Sequence, residues 1–426
     1  MATNATSNYT TGKVMPIFLK AFEAERVLTK AVNRRIITGA EFQNAEYGTE
    51  IAVKRPHDYR AIETSGGDLS LATLNDIISG QAKMKVQNMI TVPIPWDNID
   101  ETLKLNQLEE ILRPAAKRVV TTLETNFARF MMTNCHNVIG SVGTPVTKWQ
   151  EVAGAYAYME SLGVPTSQGL NYVINPYQQA ALAGAQSSIY ADDLVKSAWQ
   201  KAQIPSQFAG VRAMTATTLA TYQTNAGADR AGTLASTPNA TYATHKDTMI
   251  QDLAVTGFEA NLVVSAGEAI EVTGRYHLNQ STRLPMMNGT QSQVIWRGVV
   301  TETVTLNGSG AGTLKVAGPA INESNGQYNT VVAPLEAGDV ITLLGSPSTL
   351  YQPNLIFHEE AFGLGTIRLK KLAGWDNTIA EYDGISMRLV RYSDPLKNTQ
   401  GYRLDLLPAF AVYNPFFAGQ AFGTSS

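Results

Sequence analysis

Between residues 248 and 344 the chain carries a block of short β signals, at 253–264, 269–272, 293–306, 313–317, 329–332 and 339–344. Turn clusters part them, among them Asn307-Gly308-Ser309-Gly310-Ala311-Gly312 and Glu336-Ala337-Gly338-Asp339. About six short strands can bury a core by closing into a small barrel. The texture on either side is mixed. Residues 147–210 read as a helix from Trp149, a strand at Tyr172-Val173-Ile174, and helices at 176–185 and 192–202. Beyond Pro353 strands recur at 355–358, 367–369, 386–392 and 402–406. The β block therefore interrupts an α+β chain. The Thr/Ala/Gly/Asn-rich stretch 215–239 reads as a linker or surface loop that opens the interruption. No repeat of solenoid or propeller period is present.

Ahead of this lie three further signals. Residues 14–33 space Ile17, Phe18, Phe22, Val27, Leu28 and Ala31 at threes and fours, as an amphipathic helix does, with Glu23 and Glu25 on the other face. That acidic face is equally well read as a wetted surface or as a docking surface for a basic helical partner. Segment 49–56 reads as a short strand and 83–94 alternates at period two, and the two read as the arms of a long hairpin. The polar stretch 60–80 between them is too long for a tight turn, which makes it an excursion with a function. The strongest helical pattern runs from Leu105 through Val119, Val120, Leu123, Phe127, Phe130 and Met131. Pro114 lacks an N–H, which places it at the first turn of a second helix, about 30 Å long and ending near residue 134.

The chain of 426 residues has 33 Lys and Arg against 36 Asp and Glu, a net charge of −3, and only 16% charged residues against the usual ~25%. So few charges cannot dress the surface of a monomer this size, and much of the surface is expected to be covered by further copies. The absence of a basic tail argues against nucleic acid as the main partner. Cys135, the one cysteine, forms no internal disulfide and is expected to be a buried thiol in a reducing compartment. The polar start of the sequence has no signal-peptide pattern, and no run approaches the ~20 apolar residues of a membrane span. A soluble protein with no membrane partner is expected.

Catalytic patterns are missing. His57, His136, His245, His277 and His358 are scattered, without zinc-site spacing. In His358-Glu359-Glu360, neighbouring side chains of a strand face opposite ways. The glycines from 308 to 312 lack the Lys-Ser/Thr of a phosphate loop, and there is no Gly-x-Ser-x-Gly elbow. Cys135 and His136 are adjacent in a geometry that does not pass a proton. Arg34-Arg35, Lys54-Arg55 and Lys370-Lys371 have acids nearby and no interleaved aromatic platform, so they read as solvated or subunit-facing charge. No enzyme, cofactor or metal is expected.

In order, the parts are a polar arm, an extended hairpin, a long helix, a mixed region, a β block and a mixed return. Together with the stretches NQLEEILRPAAKRVVTTLETNFARFMM, PVTKW, AQIPSQFAGVRAM, LEAGDVITLLG, FGLGTIRLKKL and YRLDLLPAFAVYNPFFAGQAFG, this order resembles the major capsid proteins of lambdoid short-tailed bacteriophages. The resemblance covers essentially the whole chain, thinning at 215–239 and in the loops of the β block. It implies the Hong Kong 97-like α+β capsid fold with an inserted antiparallel β-barrel. On that template 1–40 is an N-terminal arm, 41–95 an extended E-loop, 96–146 the peripheral domain with its spine helix, and 147–214 the axial domain. Residues 215–345 are the inserted barrel, 346–400 the axial return, and 401–426 the peripheral return. The implied function is self-assembly into the pentons and hexons of an icosahedral head, made in the bacterial cytoplasm. A scaffolding protein and a portal protein are the implied partners, with double-stranded DNA enclosed and touched only non-specifically. The arm's Glu23 and Glu25 become candidates for scaffold docking, and Lys54, Arg55, Arg60, Glu63 and Asp68 candidates for E-loop contacts between subunits. No isopeptide crosslink is expected. Two other readings are a cargo-enclosing bacterial nanocompartment shell, and a carbohydrate- or receptor-binding β module using Trp296 and Tyr276.

Overall fold

The computed structural model of the chain describes residues 26–37, 50–55, 76–97, 108–167, 169–186, 204–394 and 399–424, with shorter stretches at 15, 19–20, 22–23, 57–59, 61–63, 65–68 and 70. Helix 192–202 of the sequence reading lies outside the described residues. The chain divides into two compact units, Met1–Ala52 with Lys83–Ala128 and Phe362–Ala411, and Val53–Ala82 with Arg129–Ala361 and Val412–Ser426.

The long helix is a single element, Leu108–Asn134. Pro114 sits inside it rather than opening a second helix. The cost of the missing N–H is confined to one bond back to the carbonyl of residue 110, and the proline ring is exposed. From there the predicted apolar face is buried except at Phe130, which is half-buried: Val119, Val120, Leu123, Phe127 and Met131 are all 1% exposed or less. Burying each large side chain contributes about 1.5–3 kcal/mol.

In the first unit one member of that buried face is a carboxylate. Glu124 is 2% exposed, and the chain before it bends to satisfy it. The Leu28 N–H donates to Oε2 at 2.7 Å, while Oε1 takes the Thr29 N–H at 3.0 Å, the Thr29 hydroxyl at 2.6 Å and the Val27 N–H at 3.3 Å. A helix continuing through 33 would keep those amides for its own carbonyls. Instead helix occurs at the described positions up to Glu23, a 3-10 turn covers Leu28–Lys30, and Asn33–Ile37 is a strand. That strand pairs in parallel with Phe362–Ile367, from Asn33 opposite Gly363 to Ile37 opposite Ile367. It edges a five-stranded sheet that continues through Pro408–Val412, Gln81–Val86 and Glu50–Lys54.

The two predicted hairpin arms are thus neighbours in this sheet. The second arm is not one strand, however. It breaks at residues 87–89, and Ile90–Asp97 joins a separate antiparallel sheet beside Thr399–Leu406, Ile385–Asp394 and Asp376–Tyr382. The Gln87 N–H pairs with the Pro408 carbonyl as the chain leaves the first sheet. At the centre of the second sheet Asp405, fully buried, accepts from the Arg388 Nη2 at 2.6 Å, the Arg403 Nε at 2.7 Å and the Thr91 hydroxyl at 2.9 Å.

In the second unit a six-stranded mixed sheet runs in the order Asn137–Ile139, Ala418–Ala421, Asn354–Phe357, Leu170–Ile174, Val211–Thr215, Gln207–Phe208. Helices Trp149–Ser161 and Pro176–Gln186 follow the sequence reading. Between Val211–Thr215 and Asn354–Phe357 the chain leaves to build the barrel, which is closed and ordered Ala231–Leu234, Ile250–Thr256, Gly312–Ala317, Ile295–Val300, Ala269–Tyr276, Val340–Leu343. Trp296, Leu253, Ile270, Val272, Val316 and Ile341 fill it with no exposed surface.

Ala231–Leu234 is a barrel strand where the sequence reads as linker. Gly232 explains the disguise, because a Cβ there would come within 2.4 Å of the Phe258 ring. The strand must be small where the ring crosses it. Residues 329–332, read as a strand, instead make an isolated bridge through Val331 to His277.

Beside the barrel core two histidines are buried without charge. His136 Nδ1 donates to the Ala317 carbonyl at 2.7 Å, and its ring lies 5.2 Å from that of His277 and 5.5 Å from that of Trp296. Burial pushes His136 down to about 4, and burial followed by the proximity of His136 and Arg297 pushes His277 well below its ordinary value. Near Arg230, Glu268 is raised, because burial outweighs the Ser265 N–H and Arg230 that pair with it.

Two tests follow from these buried groups. Glu124→Gln puts an amide where three N–H groups and a hydroxyl point, and should cost about 2 kcal/mol, read as a lower urea midpoint with loss of exchange protection at the Leu28 and Thr29 amides. An unchanged midpoint would count against the clasp. For His136 the unfolded side chain takes up a proton near pH 6.5 while the folded one resists to about 4. Its contribution is therefore intact above pH 6.5 and lost as the pH falls toward 4, by on the order of 3 kcal/mol. The stability of His136→Phe should fall less steeply over that window, and equal slopes would remove His136 from the explanation.

Candidate assembly surfaces

The sequence marks two surfaces for contact with other molecules, the arm face and the excursion. In the first unit the arm is held by a hairpin tip. Asp376–Tyr382 and Ile385–Asp394 are joined by Asp383-Gly384, with φ of 49° and 75°. Two positive φ values make the type I′ turn that matches strand twist, and an Asp-Gly pair is what that turn selects. The turn carries the Asp383 carboxylate to Arg26, at 2.5 Å, and to Arg34. Burial alone raises the Asp383 carboxyl, but the hydrogen bonds and charges of the two guanidinium groups together hold it below the usual range. The neighbouring Tyr382 hydroxyl donates to Glu23, and that bond, with the carboxylate's charge, raises the phenol. Glu23 is thus half-buried and engaged with its own chain, while Glu25 lies outside the described residues.

In the second unit the excursion is anchored at its base. Arg55, 6% exposed, donates from Nη1 to the Tyr413 carbonyl, and from Nη2 to the carbonyls of Val412 at 3.2 Å and Asp247 at 3.3 Å. Burial brings the guanidinium down to about 10, against the opposing pull of Tyr242 and Asp247. The Arg55 N–H pairs with the Gly80 carbonyl and closes the neck of the excursion. Next along, the Asp58 carboxylate meets the Arg283 guanidinium at 2.5 Å, and the Asp58 N–H reaches the Tyr328 hydroxyl at 3.3 Å. Tyr328 in turn stacks on Tyr242, with centroids 3.6 Å apart and planes 11° from parallel. The Gln81 N–H is taken by Asp247 at 2.9 Å.

The five candidate residues of the excursion are therefore differently placed. Lys54 is exposed at the end of its strand, Glu63 and Asp68 are exposed beyond the neck, and Arg60 lies outside the described residues. Asp68 is held below the usual carboxylate range by the Ser70 N–H at 2.9 Å and the Ser70 hydroxyl. Arg55 is not presented outward, because it is buried and both terminal nitrogens of its guanidinium donate to carbonyls of the same unit. Asp58, Arg283 and Asp383 are absent from the sequence reading. Only Asp383 carried a local signal, the Asp-Gly turn between two alternating runs.

Of the two residues named for the carbohydrate reading, Tyr276 is half-buried and Trp296 is out of reach. Trp296 is 0% exposed and lies in the barrel core, where it offers no stacking face to a sugar. Among the described residues no group of three or more His, Cys, Asp or Glu side chains is arranged to hold a metal ion, and no helix is long and apolar enough to cross a membrane. Cys135 is buried, its thiol pushed up to about 12 by burial.

Replacing Arg55 by Met should take its donors from three part-buried carbonyls, lowering stability by about 2–4 kcal/mol and opening the excursion to proteolysis near residue 55. Digestion at the parental rate would show that the neck is held by something else.

A family model described as P22 coat protein, gene protein 5, matches residues 1–423. The major capsid protein of Acyrthosiphon pisum secondary endosymbiont phage 1 is 38% identical over 428 residues, covering 99% of this chain and 100% of that one. Among solved structures, the capsid of cyanophage P-SCSP1u aligns with a TM-score of 0.46 at 9% identity, covering 94% of this chain and 89% of that one. A virus-like particle from Pyrococcus furiosus aligns with a TM-score of 0.41 at 8% identity, covering 96% and 98%. With the family pattern matched along nearly its full length and a capsid protein 38% identical from end to end, the chain belongs to the P22 coat protein family.

Proposed function

We infer that the chain is the major capsid protein of a tailed bacteriophage, and that copies of it close into an icosahedral shell around double-stranded DNA. The observation that carries this is the family match over residues 1–423. The physical character of the chain supports it. A surface with few charges suits large contacts between subunits, since lasting interfaces resemble a domain core cut in half. A lattice sums many weak contacts, and closure makes the sum cooperative. The protein's work is structural, and it needs no cofactor.

The finer assignments are proposals. Residues 1–40 form the arm, 41–95 the extended loop, 96–146 with 401–426 the peripheral domain, 147–214 with 346–400 the axial domain, and 215–345 the insertion. A scaffolding protein guides assembly, with Glu23 and Glu25 on its docking face, and a portal protein occupies one vertex. Lys54, Glu63 and Asp68 reach neighbouring subunits, whereas Arg55 secures the loop that carries them. DNA is held by enclosure more than by contact, as the net charge of −3 favours.

Electron microscopy of the recombinant chain, produced alone and with the scaffolding protein encoded beside it, tests this directly. Uniform icosahedral shells only with the partner are expected. Uniform shells without it would favour a self-assembling compartment, and a persistent monomer in both cases would sink the capsid reading. In the same preparations Glu23→Lys with Glu25→Lys should lose the co-sedimenting partner, and full retention would move the docking face elsewhere.

A further inference from the structure

We propose that one internal water molecule is bound where the barrel meets the six-stranded sheet, bridging His136 Nε2 and His277 Nδ1. The inference is independent of the shell-forming reading and concerns how the second unit is joined within itself.

His136 lies between helix Leu108–Asn134 and strand Asn137–Ile139, with its N–H donating to the Pro415 carbonyl at 3.0 Å. Its ring presses on the barrel at Gly318, where a Cβ would come within 2.4 Å of Nδ1. His277 and Trp296 come from the barrel side, His277 just past strand Ala269–Tyr276 and Trp296 within Ile295–Val300. Tyr158 comes from helix Trp149–Ser161. The His136 ring is 5.2 Å from that of His277, at 85° to it, and 5.5 Å from that of Trp296. The Tyr158 ring is 6.5 Å from that of His277. His136, His277 and Trp296 are 0% exposed.

The bonds each imidazole makes elsewhere fix its proton. His136 Nδ1 faces the Ala317 carbonyl at 2.7 Å, so it carries the proton of the neutral ring and leaves Nε2 as a bare acceptor. His277 is the same tautomer for a different reason. Its Nε2 accepts the Arg297 N–H at 3.5 Å, which puts the ring proton on Nδ1. Neither His136 Nε2 nor His277 Nδ1 has a hydrogen-bond partner among the described residues, and the same holds for Trp296 Nε1 and the Tyr158 hydroxyl. The set is one acceptor, two N–H donors and one hydroxyl that does either.

That inventory selects the ligand. Buried polar atoms are paired in nearly every folded protein, and where no side chain reaches, a water with several polar neighbours is the usual partner. The oxygen of a water takes the His277 and Trp296 protons, and its hydrogens go to His136 Nε2 and the Tyr158 oxygen. A metal cation does not fit, because only one of the two imidazoles offers a lone pair and no carboxylate stands among the four groups. The Arg297 guanidinium is also near enough to push His277 down, so a second positive charge is disfavoured. An anion would meet the bare acceptor of His136. A neutral molecule that both donates and accepts answers every group, and it ties the chain entering the sheet to the barrel with directions that apolar packing lacks.

A crystal structure of the full chain, at a resolution that shows ordered solvent, tests this first. One water peak within hydrogen-bond distance of His136 Nε2 and His277 Nδ1 is expected, with no anomalous signal at the zinc or copper edges. A direct bond between the two nitrogens, a metal peak, or a dry gap overturns the proposal. In solution, the chain labelled with 15N-histidine gives a second reading. Both rings should show the neutral Nδ1–H pattern at neutral pH, and the His277 ring proton should cross-relax with a long-lived water. An Nε2–H form at either ring, or no such water, overturns it as well. Unfolding constants of the parent, His136→Phe, His277→Phe and the double variant give a third. The double should lose about fivefold less than the product of the single effects, because the first substitution already removes the bridge. Independent effects refute it, and should a variant not fold, the parent's crystal structure and ring spectra decide.

Discussion

Four donors from one short bend of chain converge on a carboxylate in the middle of an apolar helix face, and the course of the first unit depends on that meeting. A lone charge at 2% exposure costs several kcal/mol, so Glu124 is tolerable only if its oxygens are filled. The amides of Val27, Leu28 and Thr29 fill them, and by doing so they stop being helical amides. The chain is thereby turned from helix to strand within a few residues. Strand Asn33–Ile37 can then lie along Phe362–Ile367, and Arg26 and Arg34 come to share the Asp383 carboxylate. Local propensity is overruled by one buried charge.

The same economy recurs. Asp405 ties three strands of the second sheet through Arg388, Arg403 and Thr91, and Arg55 gathers three carbonyls at the neck of the excursion. A chain with 16% charged residues has few ionic groups to spare, and several of them are buried and committed to fixing backbone. Breaking one partner of such a set leaves an uncompensated charge, which makes these contacts decisive for geometry even where their net contribution to stability is small.

How much of this was legible follows from how local each cause is. The buried face of Leu108–Asn134 and most strands of the barrel were readable because periodicity is a local property of side chains. Glu124 also sat in phase with that face, four residues after Val120 and three before Phe127, and a carboxylate in that phase is a signal the apolar reading passed over. The expected helix 14–33 is helical at its described positions up to Glu23 but not over its last residues, because the cause that breaks it lies nearly a hundred residues away in sequence. Strand Ala231–Leu234 hid because closeness to Phe258 demanded small residues, and small residues read as loop. The break at 87–89 reflects a choice between two sheets, which no single strand announces. Among the candidate contact residues, types and positions were readable, but whether an arginine faces outward was not. Arg55 and Lys54 are adjacent, and one is buried while the other is exposed.

That difference bears on how a lattice can be both weakly bonded and accurate. If the whole excursion were loose, each contact would have to meet the cost of ordering a long loop before gaining anything. Anchoring its neck through Arg55, Asp58 and Gln81 meets most of that cost during folding of the single chain, where it is shared with the rest of the core. On the proposal that Lys54, Glu63 and Asp68 reach neighbouring subunits, contacts from the exposed part would be individually weak and easily reversed, so that a misplaced subunit leaves before it is trapped. Charge contributes register at little cost in affinity, because like-charged juxtapositions are penalised more strongly than matched ones are rewarded. A rigid neck with exposed charges beyond it suits that proposed use. Accuracy comes from what is fixed before subunits meet, and reversibility from how little is gained when they do.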